Sequence, residues 1–165
     1  MSELKILNNK EIKETLKLIE NQWNAKIKLE YGFLKNNKNR IFTVSQDISK
    51  IDVSKLRLNS VGMYFCELDE RGVRLSIEGS QIVGPKATKN IVELNEEETK
   101  KWFKGEDLEK DCKDCSGFVI LKNKYQKKSF SKEKIFFAED FLGCGKYVNG
   151  KILNYLGKTR RVKIL

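Results

Sequence analysis

The chain has 165 residues with a formal net charge of +10, and 39% of its residues are hydrophobic, which predicts a folded core rather than disorder. It contains no histidine, which excludes Ser-His-Asp and Cys-His nucleophile chemistry and any His-ligated metal within this chain. No stretch approaches the roughly 20 apolar residues of a membrane helix, and the polar start Met1–Lys5 lacks the apolar core of a signal peptide. We therefore expect a cytoplasmic protein without a membrane partner.

The first half of the sequence predicts a mixed α/β arrangement. A helix from Lys10 to about Asn24, capped by Asn8 or Asn9, is indicated by apolar residues at three- and four-residue spacing. Alternating apolar residues, polar turns and Ser or Asp caps predict the elements that follow. They are strands Ala25–Leu34 and Arg40–Val44 joined by a turn at 36–39, a short helix near Ser45 and Asp47, strands Ser60–Leu68 and Val73–Ile77 around a turn at Gly72, and a short helix Glu78–Val83.

The single proline, Pro85, lies in a Gly-Pro-Lys turn that predicts a boundary between two domains. We expect an N-terminal α/β domain over residues 1–84 and a smaller β-rich domain over 85–165. In the second domain, Asn95 and Glu98 match a capping box for a helix that ends at Gly105. The expected strands are Asn90–Leu94, Phe118–Leu121, Ile135–Ala138, Lys146–Val148 and Lys151–Leu153, with Asn149-Gly150 as a tight hairpin turn between the last two.

Cys112 and Cys115 form a Cys-x-x-Cys pair, a spacing found in metal sites. Zinc takes four ligands, and the remaining cysteines, Cys66 and Cys144, do not form a second pair. We therefore favour a loop that holds two thiols, keep a zinc site at Cys112 and Cys115 as the minor alternative, and expect no cofactor. The neighbouring acidic residues are interpreted as a capped helix start and a solvated loop.

The strongest functional signal is the positive charge of the C-terminal part. Residues 117–165 contain twelve Lys or Arg and three Asp or Glu, which account for nearly all of the net charge. Such a one-sided charge indicates an acidic partner, and a phosphate backbone is the first candidate. Lysines and arginines neutralise phosphates, while planar side chains contact sugars or unpaired bases. The candidate RNA-binding residues are Lys127, Lys128, Gly143, Gly145, Lys146, Tyr147, Lys151, Asn154, Tyr155, Lys158, Arg160 and Arg161.

Two parts of this basic region also predict local structure. Gly143-Cys-Gly145 predicts a turn that needs positive φ, and a close approach of the backbone to an RNA strand is the alternative interpretation of these glycines. A second basic stretch, with lysines from Lys122 to Lys134, lies between predicted strands and is expected to form a protruding hairpin.

Ordered motifs from about residue 40 onward resemble one protein family. Glu93–Glu106 resembles its L-x-E-E-E…Y-L-x-G-E helix, Gly117–Leu121 its Gly-Trp-Val-Leu-Val strand, and Leu142–Lys146 its Leu-Gly-Trp-Gly-Lys turn. Leu56–Leu68 and the tail Asn154–Lys158 with Arg161 resemble further segments. The family is the C-terminal RNA-binding module of Sun-type (RsmF-like) RNA cytosine-C5 methyltransferases. The layout is also similar to that of archaeal and eukaryotic pre-PUA–PUA ribosome-biogenesis proteins.

This resemblance implies an α+β fold, in which an N-terminal α/β pre-PUA domain precedes a PUA-like β-barrel domain that binds RNA. The catalytic domain of those enzymes has no counterpart here, because a glycine-rich strand-to-helix turn is missing and Pro85 is followed by Lys86 rather than by cysteine. The resemblance therefore implies a non-catalytic protein whose partner is rRNA or tRNA, acting with a separately encoded RNA methyltransferase or in ribosome biogenesis. Two alternatives stay open: a protein-interaction subunit of an RNA-processing complex, and a zinc-binding protein.

Overall fold

Two five-stranded sheets and three α-helices make up the described part of the chain, which is a mixed α+β fold with one sheet curled into a half-barrel. The computed structural model describes residues 4–52, 61–128 and 135–163, with the backbone alone for 124–128 and 135–138. The strands are β1 Leu4–Ile6, β2 Gly32–Asn36, β3 Arg40–Val44, β4 Met63–Asp69, β5 Gly72–Leu75, β6 Ile91–Leu94, β7 Leu108–Glu109, β8 Gly117–Lys128, β9 Ile135–Val148 and β10 Lys151–Leu153. The helices are α1 Asn9–Trp23, α2 Ile77–Val83 and α3 Glu96–Lys104.

The first sheet is an antiparallel meander in the order β1-β2-β3-β4-β5. The turns of its two predicted hairpins are confirmed, and each uses a residue with positive φ: Asn39 (58°) between β2 and β3, and Gly72 (133°) between β4 and β5. Asparagine and glycine reach this conformation at the lowest cost, so the local sequence sets both turns. The predicted short helix after Ser45 is a 3-10 turn, Gln46–Lys50, which Ser45 caps.

The predicted ends of the helices are confirmed by their capping contacts. Asn8 accepts a hydrogen bond from the backbone N–H of Glu11, whose carboxylate accepts one from Asn8 in return. Asn95 and Glu98 form the same reciprocal pair at the start of α3, which ends at Gly105 with φ of 88°. These contacts satisfy backbone groups that a helix end otherwise leaves without partners.

The predicted strand Ala25–Leu34 is wrong in its first two thirds, because only Gly32–Asn36 pairs with neighbours, namely β1 and β3. The alternation that suggested a strand has another cause. Ala25 is buried, and Ile27 and Leu29 pack on the same core from a segment without regular secondary structure. The alternating burial therefore comes from an extended chain that lies across a core. Such a chain needs no hydrogen-bonded partner strand.

The second sheet has the order β6-β8-β9-β10-β7, with β6 parallel to β8 and the other pairs antiparallel. The Asn149-Gly150 hairpin is confirmed, with positive φ at both residues (47° and 79°). Strands β8 and β9 pair from Gly117 opposite Tyr147 to Lys128 opposite Ile135. The expected tip of this pair, including Lys132 and Lys134, lies outside the described residues. Strand β7 has two residues, too few to leave a periodic pattern in the sequence.

The predicted turn at Gly143-Cys-Gly145 is wrong, because these residues lie inside the 14-residue strand β9. The expected strands Ile135–Ala138 and Lys146–Val148 are the two ends of that single strand. Gly143 has the positive φ that was expected (130°), but it occurs at a bulge, where the register with β8 shifts between Leu121 and Lys122.

Close packing against β9 explains why residue 145 is a glycine. A Cβ atom at Gly145 would lie 2.6 Å from Cγ2 of Ile152 and 3.3 Å from the ring of Trp102. The side chain of Trp102 is fully buried against this face of the sheet, and its Nε1–H donates a hydrogen bond to the carbonyl of Leu142 at 3.1 Å. Glycine is therefore required for the close approach of β10, and of the Trp102 ring, to β9 rather than for a turn.

Gly145→Ala is expected to destabilise the protein by about 1–3 kcal/mol, the usual cost of an extra carbon atom in a packed interior. Gly157→Ala is the matched control, because φ there is −57° and a Cβ atom would meet no heavy atom within 4 Å. Its stability should match or slightly exceed that of the wild type. Urea denaturation of both variants measures the difference, and equal stabilities would contradict this explanation of Gly145.

Two clusters of buried side chains lie on opposite faces of β8. Phe118 and Ile120 belong to a first cluster with Trp23 and residues of the first sheet. Val119 and Leu121 belong to a second cluster, which includes Trp102 of α3. Because the first cluster draws residues from both sheets, the two sheets pack against each other.

The segment that joins the two sheets is fixed at several points. Residues Gly84–Lys86 form a 3-10 turn. Shortly after it, Asn90 is buried, donates to the carbonyl of Gln22 at 2.8 Å and accepts from the backbone N–H of Ser116 at 3.0 Å. Asn90 thereby ties the end of α1 to the second sheet. Within the described ranges, no helix combines the length and the hydropathy needed to cross a membrane.

Candidate nucleic-acid interface

A cleft of 530 Å³ opens where β4, β5 and the start of α2 meet the C-terminal segment after β10. We call it the arginine–tyrosine cleft after five of its lining residues: Arg40, Tyr64, Arg74, Tyr155 and Arg160. Of these, two come from the C-terminal segment, and the others come from three adjacent strands of the first sheet. The cleft therefore forms only when the C-terminal segment lies beside the first sheet.

Arg74 and Tyr155 form a cation–π pair in this cleft. The guanidinium carbon of Arg74 lies 4.8 Å from the centroid of the Tyr155 ring. The edge-to-face contact of the same ring with Phe118, at 5.9 Å between centroids, fixes its orientation. The side chain of Arg74 is 22% exposed, so much of its charge is desolvated, which strengthens the attraction to the ring.

Glu67 holds the arginines of the first sheet in position. It lies directly opposite Arg40 on β3 and Arg74 on β5. Its Oε2 accepts hydrogen bonds from Arg40 Nε at 3.0 Å, from Arg74 Nη2 at 2.9 Å and from the Tyr64 hydroxyl at 3.4 Å. One carboxylate oxygen therefore orients two guanidinium groups and one phenol.

The ionisation states follow from these contacts. Partial burial by itself raises the pKa of Glu67, but hydrogen bonds and charge from Arg40 and Arg74 outweigh it and hold the pKa below its ordinary value. Burial first, and the neighbouring Glu67 second, raise the pKa of Tyr64 to about 12. At neutral pH the carboxyl is therefore ionised and the phenol keeps its proton, as the hydrogen bond between them requires.

Arg160 supplies the third guanidinium from the opposite wall. It lies in the 3-10 turn Lys158–Arg160 and forms an ion pair with Glu78 in the first turn of α2. Its side chain is 57% exposed. Three guanidinium groups line the cleft, and together with the two carboxylates that pair with them, Glu67 and Glu78, they have a net charge of +1, which we take as the charge of the cleft.

Of the candidate residues from the sequence, the structure brings Gly143, Tyr155 and Arg160 to the cleft. Lys158 is exposed in the same 3-10 turn as Arg160. Lys146 is half-buried in β9. It lies near Asp69, whose pKa is lowered mainly by its hydrogen bond from Arg71 and to a smaller extent by the charge of Lys146.

Two candidates on the hairpin β9–β10 contact acidic residues in and beside β7. The hydroxyl of Tyr147 donates a hydrogen bond to Asp111 Oδ1 at 2.6 Å. Lys151 pairs with Glu109 at 3.4 Å and lies 4.0 Å from Asp107. Neither side chain is among those that line the cleft. Lys127 and Lys128 lie in β8, and their side chains are outside the described part of the structure.

Asn154 holds the C-terminal segment against α3. Its side-chain amide donates to the carbonyls of Trp102 and Glu106, at 2.8 Å and 2.9 Å, and its Oδ1 accepts from the backbone N–H of Leu156 at 2.8 Å. Arg161 acts nearby, with Nε donating to the carbonyl of Leu156 at 3.1 Å. The described contacts of both side chains are with the protein's own backbone, and they fix the residues on either side of Tyr155.

Arg40, Tyr64 and Arg74 line the cleft but were not among the candidate residues from the sequence. One signal for them was available, because a hairpin that turns at residues 69–72 places Glu67 directly opposite Arg74. The pairing of Arg40 with Glu67 joins β3 to β4, and residues 53–60 of that connection lie outside the described ranges.

Cys112 and Cys115 are joined by a disulfide, with 5.3 Å between their Cα atoms. The predicted loop with two free thiols is therefore closed by a covalent bond. Cys66 and Cys144 are free and buried in the first cluster. Burial raises the pKa of the Cys144 thiol to about 12, so this thiol is protonated at neutral pH and is a poor nucleophile. Within the described residues, no group of three or more Cys, Asp or Glu side chains is arranged to hold a metal ion.

No protein-family model matches the chain, and none of the curated proteins is significantly similar to it. Membership of the PUA-like family therefore stays a prediction from the sequence motifs.

Proposed function

We propose that this chain is a non-catalytic RNA-binding protein that acts on rRNA or tRNA and contacts RNA at the arginine–tyrosine cleft. The observation that carries the proposal is the pairing of Arg74 with Tyr155 beside Arg160, in an open cleft. Proteins bind unpaired nucleotides by combining aromatic or guanidinium planes for the bases with cations for the phosphates. Both kinds of group occur together in this cleft.

The charge distribution supports the same partner. The cleft has a net charge of +1, whereas residues 117–165 carry twelve Lys or Arg and three Asp or Glu. A single charge neutralises one phosphate, so most of the electrostatic attraction to RNA must come from the lysines outside the cleft. We assign long-range attraction to those lysines and base contacts to the cleft.

The more specific parts of the proposal rest on the sequence motifs. We propose that the second sheet belongs to a PUA-like β-barrel domain over residues 85–165, preceded by a pre-PUA domain over residues 1–84. The separation of the two sheets along the chain and the half-barrel curvature are consistent with that layout. A cytoplasmic role beside a separately encoded cytosine-C5 methyltransferase, or in ribosome biogenesis, is the corresponding biological proposal.

A filter-binding titration with tRNA and rRNA fragments tests RNA binding. Neutralising several phosphates should make log K fall linearly with log salt concentration, with a slope of about −0.7 per phosphate on single strands. We expect a slope steeper than about −2 between roughly 50 and 200 mM salt, which corresponds to three or more phosphates. Absence of salt-sensitive binding to any of these RNAs would reject the proposal.

A further inference from the structure

The size of the arginine–tyrosine cleft limits what can enter it. Its volume of 530 Å³ is within the roughly 300–1,000 Å³ of pockets that enclose small organic molecules. A double helix cannot place a base in such a cleft without unstacking it, because paired bases present only their edges in the grooves. The occupant that fits is a single nucleotide that is already unpaired.

The planar groups of the cleft are fixed before any ligand arrives. Tyr155 packs edge-to-face with Phe118 and has the guanidinium of Arg74 over its ring, yet it remains 36% exposed. Arg74 is in turn held by Glu67. Little side-chain freedom is therefore lost when a base stacks here, which favours binding. Stacking on an aromatic or guanidinium plane tolerates any base, since every base has a π-face.

The charge of the cleft matches one phosphodiester. Three guanidinium groups and two carboxylates sum to +1, and a phosphodiester carries a single negative charge. Each guanidinium has five N–H donors, so its contact with Glu67 or Glu78 leaves donors for phosphate oxygens. A doubly charged terminal phosphate would exceed the net charge of these five groups.

We propose that the cleft binds one internal, unpaired nucleotide of RNA, with its base stacked on the Tyr155–Arg74 pair and its phosphodiester contacted by the arginines. This inference rests on the proposed RNA-binding function and adds the class of RNA that is bound. The preferred ligands are loops and bulges, and a continuous duplex is bound only through the lysines outside the cleft.

The test uses two RNAs with the same stem, one with a single 2-aminopurine in a one-nucleotide bulge and one with it paired inside the duplex. The fluorescence of 2-aminopurine reports the stacking of that base. We expect the wild-type protein to change the signal of the bulge but not of the duplex, and to bind the bulged RNA about 10-fold more tightly. Tyr155→Leu should abolish the signal change and the preference, whereas Tyr155→Phe should retain both because the ring remains.

Tyr31→Leu is the matched control, because Tyr31 is a 48% exposed tyrosine that does not line this cleft. It should leave the preference for the bulge unchanged. The protein could instead bind both RNAs in a salt-sensitive way with equal affinity and leave the 2-aminopurine signal unchanged. That result would overturn the inference but not the proposed function. Absence of binding to either RNA would overturn both. The wild-type signal is decisive even if Tyr155→Leu does not fold.

Discussion

Arg160→Glu is expected to weaken RNA binding by about 10- to 100-fold without unfolding the protein. The side chain is 57% exposed and pairs with Glu78 on the wall of the arginine–tyrosine cleft. Replacing it changes the net charge of the cleft from +1 to −1 and places two carboxylates side by side, so a phosphate would be repelled where it is now attracted. A tenfold loss corresponds to about 1.4 kcal/mol. Filter binding at one fixed salt concentration measures the change.

Lys100→Glu is the matched control for this variant. Lys100 is 64% exposed on α3, pairs with Glu96 and lies outside the cleft, and its replacement changes the net charge by the same two units. If the position of the charge matters, Lys100→Glu should weaken binding less than about threefold. Equal losses for the two variants would mean that net charge alone governs affinity, and the cleft would then have no special role.

Trp102→Ala is expected to cause the largest loss of stability of any single change considered, about 3–5 kcal/mol. The indole is fully buried between α3 and the second sheet, packs over the glycines of β9 and donates a hydrogen bond to the carbonyl of Leu142. Its backbone carbonyl also accepts from Asn154. Because native domains are stable by only about 5–15 kcal/mol, this variant should be close to unfolding.

Trp102→Phe separates packing from hydrogen bonding at the same position. The phenyl ring keeps much of the contact with the sheet but leaves the carbonyl of Leu142 without its indole donor, so we expect a smaller loss of about 1–3 kcal/mol. Urea denaturation followed by far-ultraviolet circular dichroism measures both variants. An alanine variant within about 1 kcal/mol of the wild type would show that α3 is not anchored through this side chain.

Local sequence signals predicted the elements whose ends depend on neighbouring residues. The caps at Asn8 and Asn95, the end of α3 at Gly105 and the Asn149-Gly150 hairpin each need contacts within a few residues of chain. The turn at Gly72 also sets the register of its hairpin, which brings Glu67 opposite Arg74. One edge of the cleft could therefore be derived from the sequence.

The sequence-based predictions of secondary structure were wrong where contacts with distant parts of the chain determine the local structure. Gly145 lies in a strand because it pairs with Val119 of β8, and it is a glycine because Ile152 and Trp102 pack against it. None of these contacts is visible in the residues around it. Apolar and polar residues alternate over Ala25–Leu34 because this extended segment crosses a core, and only its C-terminal end has partner strands. The cleft combines the C-terminal segment with three strands of the first sheet, so it could be located only from the fold.

Ultraviolet crosslinking of bound RNA, followed by mass spectrometry of the crosslinked peptides, tests most directly whether RNA occupies the arginine–tyrosine cleft. The account predicts crosslinks at Tyr155 and Tyr64, which line the cleft from the C-terminal segment and from β4, and their loss when unlabelled bulged RNA is added as a competitor. Crosslinks that are found only outside the residues lining the cleft, for example at Tyr31, would contradict it.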